Sequence, residues 1–220
     1  LFNILMMGPA DPIWVAQGVP GLISCTKNWR SGLCKILSFF DGLEPFGIVC
    51  LSAIWFMLAL TFAWACTPET GSDSMRQYLG VIQFIAERHA LEPQYVDWGR
   101  LMPKTMQAAL VPAYLIGEYV LVKWYAWFSV VALTILMIEE VHRRGGRAGL
   151  ALFGGAALLS FPLLLQLATW VYMDHFMALL CFAGFALMFR GAECKNQRML
   201  YFAAALMACL GQIKYNGVIF

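Results

Sequence analysis

Residues 46–67 run for 22 positions without a charged side chain or a histidine. A helix rises about 1.5 Å per residue, so roughly 20 apolar residues cross the ~30 Å hydrocarbon core of a bilayer. In lipid the backbone must satisfy its own hydrogen bonds, and a continuous apolar run does so as a helix. Composition agrees: 61% of residues are hydrophobic and 13% charged, with a mean hydropathy of +0.69, against about 25% charged in soluble domains. The expected fold class is all-α, a polytopic transmembrane helical bundle.

The same composition excludes several functions. A net charge of +2 with no basic run argues against a nucleic-acid partner. No Walker loop, G-x-G-x-x-G, H-E-x-x-H or G-x-S-x-G occurs, so ATP-driven transport and soluble-type hydrolysis have no basis. No inverted repeat is evident, which weakens a secondary transporter. The cysteines at 25, 34, 50, 66, 181, 194 and 209 form no C-x-x-C and lie mostly in or beside apolar stretches. Such cysteines behave as small hydrophobes, and neither a disulfide framework nor a metal site is expected.

The chain begins at Leu1 and ends at Phe220 inside an apolar run, so a piece of a longer protein is expected. Residues 1–7 lack a positive n-region, so they read as the tail of a span or a buried edge rather than a cleavable signal. Pro9, Pro12, Gly18 and Pro20 make a loop of residues 8–20. Lys27, Trp29, Arg30 and Lys35 then give the mix of positive charge and aromatic anchor of a cytoplasmic interface. Residues 1–44 are expected as an N-terminal loop or interfacial segment, and 45–220 as the membrane domain.

The first confident span is 45–66, and Pro68 stops it. Ser72 or Asp73 can cap a helix over 74–90. There Met75, Tyr78, Leu79, Ile82, Ile85 and Ala86 share one face, opposite Arg76, Gln77, Gln83 and Glu87. That pattern predicts an amphipathic helix lying on the membrane. Residues 91–104 are irregular, and 107–122, with Pro112 and Glu118, read as a second interfacial or re-entrant helix. Four further spans are expected over 123–140, 149–170, 174–189 and 199–213, making five in all. The outer loop is 67–122.

Charge sets the topology. If 107–122 does not cross, segments 27–35, 142–147 and 190–198 share one side and hold nine of the fifteen Lys and Arg. That is the inner side by the positive-inside rule. Glu69, Asp73, Glu87, Glu92, Asp97 and Asp174 then face outward.

Several residues are placed to do chemistry. Asp73, just outside the bilayer at the start of a surface helix, is either a general base or an N-cap carboxylate. Asp174 follows Trp170-Val171-Tyr172-Met173 at the outer end of a span; it is either a functional ionisable group or the cap of the next helix. His175 beside it makes a metal a minor alternative, with no third ligand nearby in sequence. Lys214 on the outer side breaks the charge pattern, so it either holds an anion such as a lipid phosphate or snorkels to the interface. Arg76 and Lys104 are basic groups on the same face. Glu118 and Lys123 read as a local ion pair or interfacial anchors. Glu139 and Glu140 read as a solvated inner boundary. Trp64, Trp124, Trp170 and Tyr201 read as aromatic-belt positions.

The order of parts adds a resemblance. A span is followed by P-x-T-G-S-D-S-M-R-Q-Y-L and a surface helix. Then come a Pro-containing apolar helix, a span ending in H-R-R-G-G-R-A-G, F-P-L-L-L-Q-L-A-T-W-V-Y-M-D and A-C-L-G-Q-I-K-Y-N-G. Over residues 67–217 this resembles the bacterial GT-C membrane glycosyltransferases, the superfamily of protein O-mannosyltransferases and lipid A aminoarabinose transferases. The resemblance implies two juxtamembrane helices on an outer loop and a polyprenyl-phosphate sugar donor. It makes Asp73 the catalytic base and Asp174 a site carboxylate, by matching the Tyr-Val-Asp position. Lys214 and Tyr215 match a Lys-Tyr-Thr-Gly segment and, with Arg76 and Lys104, would hold the donor phosphate. A divalent metal is a possible addition. Where relatives read Asp-Ala-Leu-x-Tyr-His-Leu, this chain has Gln77-Tyr78 in place of Tyr-His. The alternative expectation is therefore an inactive GT-C-like structural subunit of a larger membrane complex, binding lipids or pigments through the inner membrane. Its partners would be membrane lipids and neighbouring subunits rather than a lipid-linked sugar donor.

Overall fold

The structure, a computed structural model, describes residues 39–40, 43–71, 74–89 and 105–213. The chain divides into two units, Leu1–Glu44 and Pro45–Phe220. Of the first, the described part is Phe39, Phe40, Leu43 and Glu44, with the two phenylalanine rings edge to face at 5.4 Å. The expectations for 1–38 lie outside the described residues.

In the second unit every secondary-structure element among the described residues is a helix, with no strand. Helix α1 is Pro45–Ala65, followed by a π-helical turn Ser74–Leu79 that runs into α2, Gly80–Arg88. Then come α3, Thr105–Arg143; α4, Ala148–Leu159; α5, Pro162–Thr169; α6, Asp174–Glu193; and α7, Gln197–Ile213. Helices α1, α3 and α6 are long and apolar enough to cross a membrane. The pair α4 and α5 would add a fourth crossing if counted as one.

Helix α1 buries Gly47, Cys50, Ile54, Leu58, Thr61 and Ala65, spaced three and four apart, and exposes Val49, Trp55, Phe56, Leu60 and Trp64 on the other side. The spacing is that of a single packed stripe on a helix apolar all round. The stripe faces α3 and α4. Trp127 Nε1 donates to Leu58 O and Thr61 Oγ1, both at 3.2 Å, and the Phe62 ring lies 5.0 Å from that of Trp127. On the α4 side, the Phe46 and Phe153 rings are 5.9 Å apart. Gly155 lets the helices meet: a Cβ there would stand 2.7 Å from Ile138 Cγ1 and 3.3 Å from Ile54 Cδ1. Small residues at crossings are how helices approach where lipid removes the hydrophobic drive between them. Helices α6 and α7 pair by the same device, Gly184 lying against Met207 and Gly191 against Leu200.

Two predicted spans change. Segment 107–122 is not separated from the following span at Lys123; the helix runs through Lys123 and is interrupted at Gly117 (φ −143°, ψ 25°) and Glu118 (φ 50°, ψ −143°). A positive φ at a non-glycine residue is costly and holds only where the surroundings impose it. The part of α3 before the break packs with the surface helix, as Leu110 and Ala113 share a cluster with Tyr78, Leu79 and Ile82. The predicted span 149–170 is broken, its halves bent by 70° between Leu159 and Pro162. Proline lacks the amide the helix needs and drives the residue before it out of the α region; Phe161 is extended at φ −71°, ψ 112°.

The amphipathic helix keeps its predicted face, with Tyr78, Leu79, Ile82, Ile85 and Ala86 buried, but Met75 is exposed. The π-helical first turn shifts Met75 off the stripe that an α-helical register would give it. On the solvent side Gln83 donates to Glu87 at 2.8 Å.

Candidate functional site

The loop after α1 is held at three points. At the end of α1, Thr67 N and Thr67 Oγ1 donate to Trp64 O at 3.0 and 2.7 Å. Lys123, 1% exposed, reaches across from α3, and its ammonium donates to Thr67 O at 2.7 Å and Trp64 O at 3.4 Å. A cation belongs there, because the last carbonyls of a helix are unpaired and carry the negative end of its dipole. Lys123 is therefore a buried interhelical cap, in place of the local ion pair with Glu118 or the interfacial anchor that its position suggested.

The second point is Glu69. One carboxylate oxygen accepts from Thr70 N at 3.0 Å and Gly71 N at 2.9 Å, and the other accepts from Val171 N at 3.2 Å. The third is Ser74, which is buried: its hydroxyl accepts from Val171 N at 3.0 Å and donates to Val171 O at 3.3 Å. Between these points Gly71 passes beneath Trp170. A Cβ on Gly71 would lie 3.2 to 3.3 Å from Glu69, Ser74 and Trp170 at once, so only glycine fits without displacing a neighbour. Trp170 stacks on Tyr172 at 5.8 Å, and Tyr172 meets Tyr78 at 5.3 Å.

The start of the surface helix is thus sewn to the segment leading into α6. Ser74 follows Asp73 in the chain, and Asp174 comes three residues after Val171. Asp174 is half-buried in the first turn of α6, where the helix dipole favours a carboxylate. Arg76 is exposed on the π-helical turn. Asp73, Lys104, Lys214 and Tyr215 lie outside the described residues. His175 is 1% exposed, its ring 4.4 Å from that of Phe176 and both ring nitrogens without a hydrogen-bond partner. Among the described residues no three His, Cys, Asp or Glu side chains group as a metal site.

Sequence reasoning gave Glu69 only an outward-facing charge and Lys123 an ion pair or anchor, and it passed over Ser74. Lys123 carried a signal, being a cation within an apolar run; Glu69 and Ser74 carried none, since their partner is a backbone about a hundred residues away. All three are committed to backbone groups. They position the loop. The aromatic-belt expectation divides. Trp64 and Tyr201 are exposed, whereas Trp124 packs on Phe62 at 5.7 Å and Trp170 covers Gly71.

The other end of the bundle also departs from expectation. Glu140 is not a solvated boundary residue. Its carboxylate receives Arg143 at 2.7 Å, Arg144 at 2.9 Å and Arg190 at 2.9 Å. Arg143 also pairs with Glu193 at 2.6 Å and Arg190 with Glu139 at 2.9 Å. Segments 142–147 and 190–198, assigned to one side by charge, are here bonded together. No protein-family model, curated protein or solved structure matches the chain.

Proposed function

We propose that the chain is a membrane glycosyltransferase of the GT-C type, moving a sugar from a polyprenyl-phosphate donor to an acceptor at the outer face. The observation that supports this reading is the pair of bonds between Ser74 and Val171. They join the two elements whose sequence neighbours, Asp73 and Asp174, the chemistry would use. A π-helical turn at the same place adds weight, because such turns recur at functional sites.

In this reading the acceptor hydroxyl or amine attacks the anomeric carbon of the sugar and gives its proton to Asp73. The new bond forms as the carbon–oxygen bond to phosphate breaks, and the electron pair leaves with the phosphate. Arg76, Lys104, Lys214 and Tyr215 would steady that developing charge. Asp174 would orient the acceptor or hold a divalent ion. The five-span arrangement and the inner-membrane location belong to the same proposal. Helix α7 would be the fifth span: it starts beside the last turn of α6 and ends with Ile213 in the cluster of Val171 and Met173.

The test is turnover in membranes carrying the full-length chain, supplied with a panel of polyprenyl-phosphate sugars and read as release of polyprenyl phosphate. Release abolished by Asp73→Asn and cut at least a hundredfold by Asp174→Asn is expected. No release with any donor, or release indifferent to Asp73→Asn, would sink the proposal.

One observation favours the second reading, a GT-C-like structural subunit. The candidate spans are only 22% to 39% buried within the chain, leaving broad apolar faces for lipid or neighbouring helices. Tyr78, which stands where relatives carry histidine, is 5% exposed and serves as packing. Under this reading the turnover experiment returns nothing and the chain co-purifies in fixed ratio with another membrane protein.

A further inference from the structure

We propose that the arginine-rich end of the bundle holds an anionic phospholipid, its headgroup on the α6–α7 turn and an acyl chain along α7. The proposal rests on the reading of α7 as a span with this end on the inner side, and not on the transferase chemistry.

Charge comes first. Glu139, Glu140 and Glu193 are taken by Arg143, Arg144 and Arg190. Lys195 and Arg198 are exposed and have no carboxylate partner among the described residues. Two exposed cations lining one hollow make a positive patch that attracts an anion.

Shape comes second. Lys195, Asn196, Gln197 and Arg198, with Cys194, line a shallow hollow of about 550 Å³. Its rim is ordered: Lys195 holds a left-handed conformation at φ 50°, and Asn196 Oδ1 accepts from Arg198 N at 3.1 Å and Met199 N at 3.4 Å. The cations therefore stand at the N-terminus of α7, where the helix dipole adds to their pull on an anion.

The third observation selects a lipid over a soluble anion. Tyr201 and Phe202, three and four residues after Arg198, are 73% and 60% exposed. The stripe continues through Ala205, Ala208 and Cys209, all exposed. A headgroup at Arg198 would thus carry its acyl chain down a continuous apolar face. With this end on the inner side, Lys195 and Arg198 would meet the anionic lipids of that leaflet.

The experiment uses the purified full-length chain in detergent, titrated with phosphatidylglycerol or phosphatidylcholine and read by native mass spectrometry. Preferential retention of phosphatidylglycerol is expected. The double variant Lys195→Gln with Arg198→Gln should weaken it about 25-fold, roughly fivefold for each basic group. Arg88→Gln, on the surface helix, should leave it unchanged, and melting curves confirm that each variant is folded; either single variant serves if the double one is not. Equal retention of both lipids would overturn the proposal, as it would if the double variant bound like the parent. Displacement by millimolar inorganic phosphate would mark a soluble-anion site instead. Absence of retained lipid in the parent would overturn it as well.

Discussion

Glu139 and Glu140 are neighbours of the same type, and the fold separates them sharply. The Glu140 side chain is 8% exposed and bonded to three guanidiniums; that of Glu139 is 56% exposed and bonded to one. Glu140→Gln keeps the volume and removes the charge. Breaking a buried ion pair by removing one partner costs about 3–5 kcal/mol, because the remaining charge is left uncompensated. Here Arg143 keeps Glu193 and Arg190 keeps Glu139, so the cost should fall at the lower end, about 3 kcal/mol, or roughly a hundredfold in the unfolding equilibrium. Glu139→Gln removes an exposed pair and should cost under about 1 kcal/mol. The assay is equilibrium unfolding of the full-length chain in mixed micelles, followed by circular dichroism and tryptophan fluorescence. Combining Glu140→Gln with Arg190→Gln should cost less than the sum of the two, since they share one interaction. Two glutamate variants within about 0.5 kcal/mol of each other would refute the reasoning, because that is the usual scatter of surface substitutions.

Ser74→Ala removes both bonds to Val171 and should destabilise the chain by about 1–3 kcal/mol, with faster hydrogen exchange at the Val171 amide. Lys123→Met keeps the length of the side chain but leaves Thr67 O unpaired. It should cost about 1.5–3 kcal/mol and raise proteolytic cleavage of the loop after α1. Gly155→Val places methyl groups against Ile138 and Ile54, so an overpacking cost of about 1–3 kcal/mol is expected by unfolding in micelles, while Gly184→Ala, which meets the flexible end of Met207, should be tolerated far better.

The candidate site was legible in part. Asp174 was marked by its place at the mouth of an apolar run, and the surface helix by residues three and four apart. The bonds that bring their segments together were not legible. Ser74 and Glu69 act on the backbone of Val171, and nothing in the identity of Val171 records that. A change of element was expected at Lys123, whereas the break in α3 falls at Gly117 and Glu118, with the first half of the helix packed on Tyr78 and Ile82.

Periodicity and hydropathy are local quantities, averaged over many residues, and single side chains hardly disturb them. The sequence by itself therefore determined that the described elements are helical, that the apolar runs 45–66, 123–140 and 174–189 lie in helices long and apolar enough to cross a membrane, and that the basic residues gather in a few short segments. Tertiary structure alone decided which of two adjacent glutamates is buried, that Lys123 caps a different helix, and that Ser74 and Glu69 bind the backbone of Val171. Those outcomes turn on single hydrogen bonds and close contacts between segments far apart in the chain, which only the assembled fold brings within about 3 Å of one another.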